Sequence, residues 1–245
     1  TTPDHYDGYT LVWADEFEGS QIDPDNWTHD IGGHGWGNNE LQYYTDSENN
    51  SFLTQGKLVI EARKEQVGAN GYTSARLITA HKQSFQFGRI DIRARLPKGK
   101  GIWPALWMLG DSFWTIGWPA CGEIDIMELL GHEPNKVYGT AHWGPQGAST
   151  SQHISGSYTL SGGKDFSEEF HVFSIIWEPN KITWLVDDVP YHQLGPSNTG
   201  GNWPFNDTFF FLMNVAVGGN WPGNPDGTTQ FPQRMYVDYV RVFQQ

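Results

Sequence analysis

The stretch G-E-I-D-I-M-E-L-L-G, Gly122 to Gly131, holds three carboxylates, Glu123, Asp125 and Glu128, interleaved with Ile124, Ile126, Met127 and Leu129. It is apolar enough for a buried strand and too acidic to be only that. Side chains of a regular strand alternate faces, which groups Glu123 with Asp125 and Ile124 with Ile126. Glu128 is out of phase. Strict alternation would push its charge into the core at a cost of several kcal/mol. One extra residue repairs the pattern: a β-bulge at Ile126–Met127 returns Glu128 to the acidic face and Leu129 to the core.

Two ionised carboxylates about 5 Å apart repel by roughly 3 kcal/mol at an effective dielectric near 20, which is about two pKa units. At least one of the three is therefore expected to keep a proton near neutral pH. A protonated acid facing an ionised carboxylate is the equipment for cleaving a glycosidic bond with retention of configuration. A solvated acidic face and a calcium site are the competing readings. The phase break argues against the first, and the lack of further oxygen ligands crowded into the stretch argues against the second.

Around this centre the 245-residue chain reads as a single all-β domain. Its composition, 38% hydrophobic and 18% charged, is that of a globular protein, and no run approaches the eighteen or so apolar residues of a membrane helix. The formal net charge of −13 disfavours nucleic acid, anionic lipid and polyanionic polysaccharide as partners, so a neutral substrate is expected. Twelve tryptophans, ten tyrosines and fourteen phenylalanines exceed what the core needs, leaving some to face the CH-rich surfaces of sugars. The single cysteine, Cys121, excludes an internal disulfide and a cysteine-rich zinc site. The chain starts T-T-P-D-H without the basic and apolar segments of a signal peptide, which reads as a processed, secreted form.

Strands are predicted at Leu11–Phe17, Lys57–Arg63, Ala75–Thr79, Gly88–Leu96, Val137–Trp143, His171–Glu178, Ile182–Asp187, Phe209–Val217 and Met235–Phe243. In the last, Val237, Tyr239 and Arg241 oppose Tyr236, Asp238, Val240 and Val242, with Arg241 mixing the inner face. Lys164–Phe170 hints at a helical turn, and the polar Ser149–Gly163 reads as a mobile loop. Many short strands without βαβ spacing indicate an antiparallel two-sheet sandwich or jelly roll.

Gly101–Leu109 places Trp103, Ala105 and Trp107 on one face, as core rings or as stacking platforms for sugars. The glycine- and amide-rich Gly32–Thr45 is either a ligand-facing loop or an irregular turn. The Gly131–Lys136 link predicts a hairpin of the acidic strand with Val137–Trp143, bringing His142 close to Asp125 and Glu128. No zinc-type histidine spacing and no G-x-S-x-G elbow occurs.

The G-E-I-D-I-M-E run resembles the active-site signature of glycoside hydrolase family 16 in its bulged E-x-D-x-x-E form, as found in laminarinase-type endo-β-1,3-glucanases. The resemblance extends through G-W-G-N-N-E-L-Q-Y-Y-T at 35–45, S-A-R-L at 74–77, F-G-R-I-D-I-R-A-R-L-P at 87–97, W-P-A-L-W-M-L-G at 103–110 and M-Y-V-D-Y-V-R-V at 235–242. It implies a concanavalin-like jelly roll with a concave sugar-binding groove. It further implies Glu123 as nucleophile, Glu128 as acid/base and Asp125 as the group that tunes the nucleophile. Trp103 and Trp107 become groove aromatics, and Asn39, Arg76, His142 and Trp221 become substrate contacts. No cofactor is expected for catalysis. A structural calcium ion is implied on the convex side, held by Asp238 with backbone carbonyls near Glu18 and Gly56. The expected protein is a monomeric endo-glucanase acting on laminarin-type or mixed-linkage β-glucans. Agarose or carrageenan cleavage, glucan transfer and non-catalytic β-glucan binding are the alternatives that this fold also supports.

Overall fold

The computed structural model describes residues 3–245. Its strands are β1 (Thr10–Asp15), β2 (Thr28–His29), β3 (Gln42–Tyr44), β4 (Ser51–Leu53), β5 (Leu58–Ala62), β6 (Tyr72–Ser74), β7 (Arg76–Ile78), β8 (Gly88–Arg95) and β9 (Ile102–Gly110). After a one-turn helix, α1 (Phe113–Ile116), follow β10 (Glu123–Leu129), β11 (Lys136–Trp143), β12 (Gln152–Thr159), β13 (His171–Glu178), β14 (Lys181–Val186), β15 (Val189–Leu194), β16 (Phe209–Val217) and β17 (Gln233–Gln244). Seven strands form one antiparallel sheet in the order β12-β11-β10-β9-β16-β7-β2. An eight-stranded sheet runs β15-β14-β13-β8-β17-β5-β4, with β1 also paired to β17. A short parallel pair, β3 and β6, completes the set. This is the jelly-roll sandwich expected.

The two sheets close over one apolar core because alternation sends one face of each strand inward. From the seven-stranded sheet come Ile102, Leu106 and Met108 of β9 and Ile124, Ile126, Met127 and Leu129 of β10; Ile182, Trp184 and Val186 of β14 meet them from the other sheet. Cys121 is buried and unpaired.

The bulge in β10 is present. Against β9, Asp125 pairs with Trp107 and Met127 with Leu106, so Ile126 is the residue left over. Against β11, Asp125 pairs with Thr140 and Glu128 with Tyr138, so Ile126 and Met127 together face Gly139. Both side chains enter the core, and Glu128 rejoins the acidic face.

A second bulge corrects the reading of β17. The register against β8 slips between Val237 and Tyr239, so Asp238 is the extra residue. Val237 therefore shares the core with Met235, Val240 and Val242, while Arg241 points outward to Glu16. Ser149–Gly163 is also corrected: it contains β12, the edge strand of the seven-stranded sheet. Its inward Ile154 and Tyr158 alternate with exposed Ser155, Ser157 and Thr159 in all but strict form, and the polar outer row masks the period. Lys164–Phe170 holds turns rather than a helix, with Asp165 accepting the Ser167 backbone N–H at 2.8 Å.

Candidate active site

The outward face of β9, β10 and β11 carries the carboxylates in rows set by the ladder. Glu123 lies between Leu109 and His142, Asp125 between Trp107 and Thr140, and Glu128 between Ala105 and Tyr138. The hairpin argument expects His142 beside Asp125 and Glu128. Its Nε2 lies 3.2 Å from Asp125 Oδ2, as expected, and 3.9 Å from Glu123 Oε1. On the ladder His142 pairs with Glu123, four positions along β11 from Tyr138, the partner of Glu128. Ser151 Oγ, 2.8 Å from His142 Nδ1, fixes the ring from the other side.

Each outer carboxylate receives an indole N–H. Trp118 Nε1 donates to Glu123 Oε2 at 2.7 Å, and Trp103 Nε1 donates to Glu128 Oε1 at 3.1 Å. Asp125 is 2% exposed and Glu128 9%. Burial first, and then the Glu123 charge and a hydrogen bond with Glu123, hold Asp125 well above the ordinary carboxylate range. Glu128 is raised likewise, by burial and then by the Asp125 charge, against the opposing influence of His142. Both shifts favour the protonated forms of Asp125 and Glu128, and the partly exposed Glu123 carboxylate accepts the Trp118 N–H at its far end. Such a set can attack one atom and protonate its neighbour.

Around the carboxylates the expected contacts gather on the β9-β16-β7 side. The Arg76 guanidinium lies between the Trp36 and Trp107 rings, 4.6 and 4.9 Å from their centroids, and its Nε donates to Asp30 at 2.9 Å. Trp107 Nε1 donates to Asn214 Oδ1 at 2.7 Å. One ring face and the edge of Trp107 are therefore committed to protein partners. Trp103 meets Trp221 edge to face at 5.8 Å, and Trp221 in turn meets Tyr138 at 5.0 Å. Trp221 is 42% exposed, an open aromatic face at the end of the row. Asn39, in the left-handed conformation at φ 56°, donates to Asn220 at 2.8 Å and so ties the Gly32–Thr45 loop to the segment bearing Trp221.

Trp118, Tyr138, Asn214 and Ser151 also belong to this site, and sequence reasoning misses them. Asn214 has a signal: it is the one polar residue in F-F-F-L-M-N-V-A-V, and a buried polar group in such a run needs a partner. It finds two, Trp107 and the Tyr44 hydroxyl, the latter 3.0 Å from Nδ2.

Asp238 lies in the β17 bulge of the eight-stranded sheet, and Glu18 and Gly56 lie in the loops after β1 and before β5, the strands that flank β17. The Glu18 carboxylate packs over the Gly56 Cα, where an added Cβ would be 3.2 Å from Oε1. Asp238 projects from its bulge beside Lys57, with Oδ1 3.7 Å from Nζ, and accepts from Arg93 at 2.5 Å. Oxygen donors of this kind suit a hard cation, with Lys57 and Arg93 as competitors for the Asp238 charge.

The family described as glycosyl hydrolases family 16 matches residues 37–241. The chain is 44% identical to a β-glucanase of Rhodothermus marinus over 96% of this chain and 85% of that one. Among solved structures, the laminarinase catalytic domain of Thermotoga maritima superposes with a TM-score of 0.90 at 53% identity, covering 97% and 98% of the two chains. The endo-β-1,3-glucanase of Pyrococcus furiosus gives 0.89 at 48%, covering 96% and 94%. Long coverage at this identity, joined to a matching sandwich and an aligned carboxylate strand, places the chain in glycosyl hydrolases family 16.

Proposed function

We propose that this chain is a retaining endo-β-1,3-glucanase acting on laminarin-type or mixed-linkage β-glucans, with residues 1–245 as its catalytic domain. The observation that carries the reading is the single face on which the β10 bulge aligns Glu123, Asp125 and Glu128, two of them buried so that their protonated forms are favoured. Glu128 protonates the leaving glycosidic oxygen as Glu123 attacks the anomeric carbon, giving a glycosyl-enzyme and a free chain end. Glu128, now ionised, then takes a proton from water, whose oxygen displaces Glu123 and restores both groups. Asp125 shares its proton with Glu123 and steadies that carboxylate as its charge is consumed and returned. His142 orients Asp125.

A neutral glucan suits this surface. Arg76 is already paired with Asp30, and the remaining groups are rings, amides and acids, which bind sugar faces and hydroxyls and repel sulfates. Trp103 and Trp221 supply platforms, with Asn39, Arg76 and Trp107 shaping the adjoining wall. The relatives named for laminarin and β-1,3-glucan hydrolysis support the same substrate. A polymer too large to cross a membrane supports action outside the cell, and a monomer is part of the same proposal. A structural calcium ion at Asp238 and the carbonyls near Glu18 and Gly56 belongs to the same proposal; when bound it would pin the segment after β1 to the β17 bulge.

Product analysis on laminarin, mixed-linkage glucan and agarose, with proton NMR of the first-formed anomer, tests the reading. Internal cleavage of β-1,3-glucan with the β-anomer appearing first is expected. An α-anomer formed first would overturn retention, and binding without release of reducing ends would overturn the enzymatic assignment.

A further inference from the structure

The strand that carries the carboxylates is held from the far side of the molecule. Trp184, on β14 of the eight-stranded sheet, is fully buried, and its Nε1 donates to the backbone carbonyl of Asp125 at 2.8 Å. That carbonyl sits where the ladder breaks: the register of β10 slips immediately after Asp125 against both β9 and β11. A bulge leaves backbone groups without their regular ladder partners, and a buried carbonyl needs a donor.

The path of the indole is cleared by one glycine. Gly139 faces the bulge across β11, and a Cβ built there would lie 2.4 Å from Trp184 Cδ1 and 2.5 Å from the Tyr191 hydroxyl. On its other side the indole packs against His192, with ring centroids 4.8 Å apart. His192 is itself seated under Gly156, the ladder partner of Gly139, where a Cβ would lie 2.4 Å from the His192 side chain. Two neighbouring glycines thus open a slot in the seven-stranded sheet, and Trp184 fills it with its N–H aimed at the bulge.

We infer that Trp184 is a positioning residue for the reaction, holding the β10 bulge from the opposite sheet so that Asp125 and Glu128 keep their phase against Glu123. It touches no reacting group. Its effect passes through the Asp125 carbonyl to the two side chains that flank the slipped register. The inference rests on the proposed hydrolysis for its kinetic readout, and on the carboxylates alone for its spectroscopic one.

The same fold supplies a matched control. Trp177 of β13 is also buried and donates its Nε1 to a backbone carbonyl, that of Phe205 in the turn before β16, at 2.7 Å, and makes no bond to the β10 bulge. Trp184→Phe and Trp177→Phe therefore remove the same kind of bond. Both should lower the melting temperature. Only Trp184→Phe should lower kcat on the glucan that the wild type cleaves, by roughly ten- to hundredfold, with KM changed less than about threefold. The loss should shrink on an aryl glycoside that needs no proton from Glu128. Carbon-13 NMR of labelled Asp and Glu should show displaced carboxyl titrations in Trp184→Phe and native ones in Trp177→Phe, a reading that needs no turnover.

Gly139→Ala should reproduce the kinetic loss by pushing the indole aside, and adding it to Trp184→Phe should cost less than the sum of the two. If Trp184→Phe does not fold, 3-benzothienylalanine at position 184 keeps the fused ring and removes only the donor, with the same outcomes expected. Equal kcat and unchanged carboxyl titrations in folded position-184 and position-177 variants would overturn the inference. Should the wild type cleave no glucan, the proposed reaction fails, and the titrations still decide the positioning role.

Discussion

Burial against each other and against Glu123 favours the protonated forms of Glu128 and Asp125, and the same burial weakens the fold. Above the ordinary carboxylate pKa of about 4, the native state binds more protons than the unfolded chain, so stability falls as pH rises toward the raised values. Below about 4 both states are protonated and the penalty is absent. Glu128→Gln should consequently melt higher than the wild type at neutral pH, by roughly 2–4 °C for each kcal/mol recovered, with the gain fading as pH falls to about 4. Calorimetry across pH checks this. In activity the same change should be severe. Glu123→Gln and Glu128→Gln should each lower kcat on natural glucan by several powers of ten, and Asp125→Asn by less. Only Glu128→Gln should recover on nitrophenyl glycosides when the glycosylation step is followed, and there it should lose the fall in rate at high pH. Equal losses on both substrates would remove Glu128 from the acid role.

Two strands show how a bulge changes the reading of a sequence. In β10 the misplaced residue is a carboxylate on an apolar row, and the cost of burying it makes the slip legible in the residue pattern itself. In β17 the same signal, Arg241 among inward residues, is present, but a long arginine side chain can carry its charge out to solvent and does not force a slip at Asp238. His142 meets Asp125 as the hairpin predicts, and the slip in register at the bulge pairs it with Glu123 on the ladder. The β10 slip is testable by length. Deleting Met127 leaves E-I-D-I-E, a regular strand with all three acids on one face, so hydrolysis should remain measurable. A fully buried core side chain is lost, so stability should fall by about 2–5 kcal/mol. An alanine inserted between Asp125 and Ile126 should disturb the register of Glu128 and cost about a hundredfold in rate. Urea unfolding and laminarin kinetics on the same preparations check both; a deletion variant that folds yet is as inactive as Glu128→Gln, beside an active insertion, would sink the assignment of phase.

At the scale of the whole molecule, the site and the proposed calcium position occupy opposite sheets. Saturating calcium should raise the melting temperature by mass action, Asp238→Ala should abolish that rise, and turnover at low temperature should stay nearly unchanged. Loss of turnover on chelation while the fold persists would contradict a structural role. The sequence alone determined the all-β sandwich, the acidic face of β10 and the chemistry that its three carboxylates can perform, because alternation and the cost of a buried charge act within a few residues. Tertiary structure alone decided which acids are most deeply buried, where His142 points and which donor meets the Asp125 carbonyl. Burial at Asp125 depends on strands far apart in the chain, the Trp118 and Trp103 donors arrive from different segments, and the Trp184 indole crosses from the other sheet. Local pattern fixes which face a side chain takes, whereas the field and the hydrogen bonds it meets there are set by neighbours that only folding brings within a few ångströms.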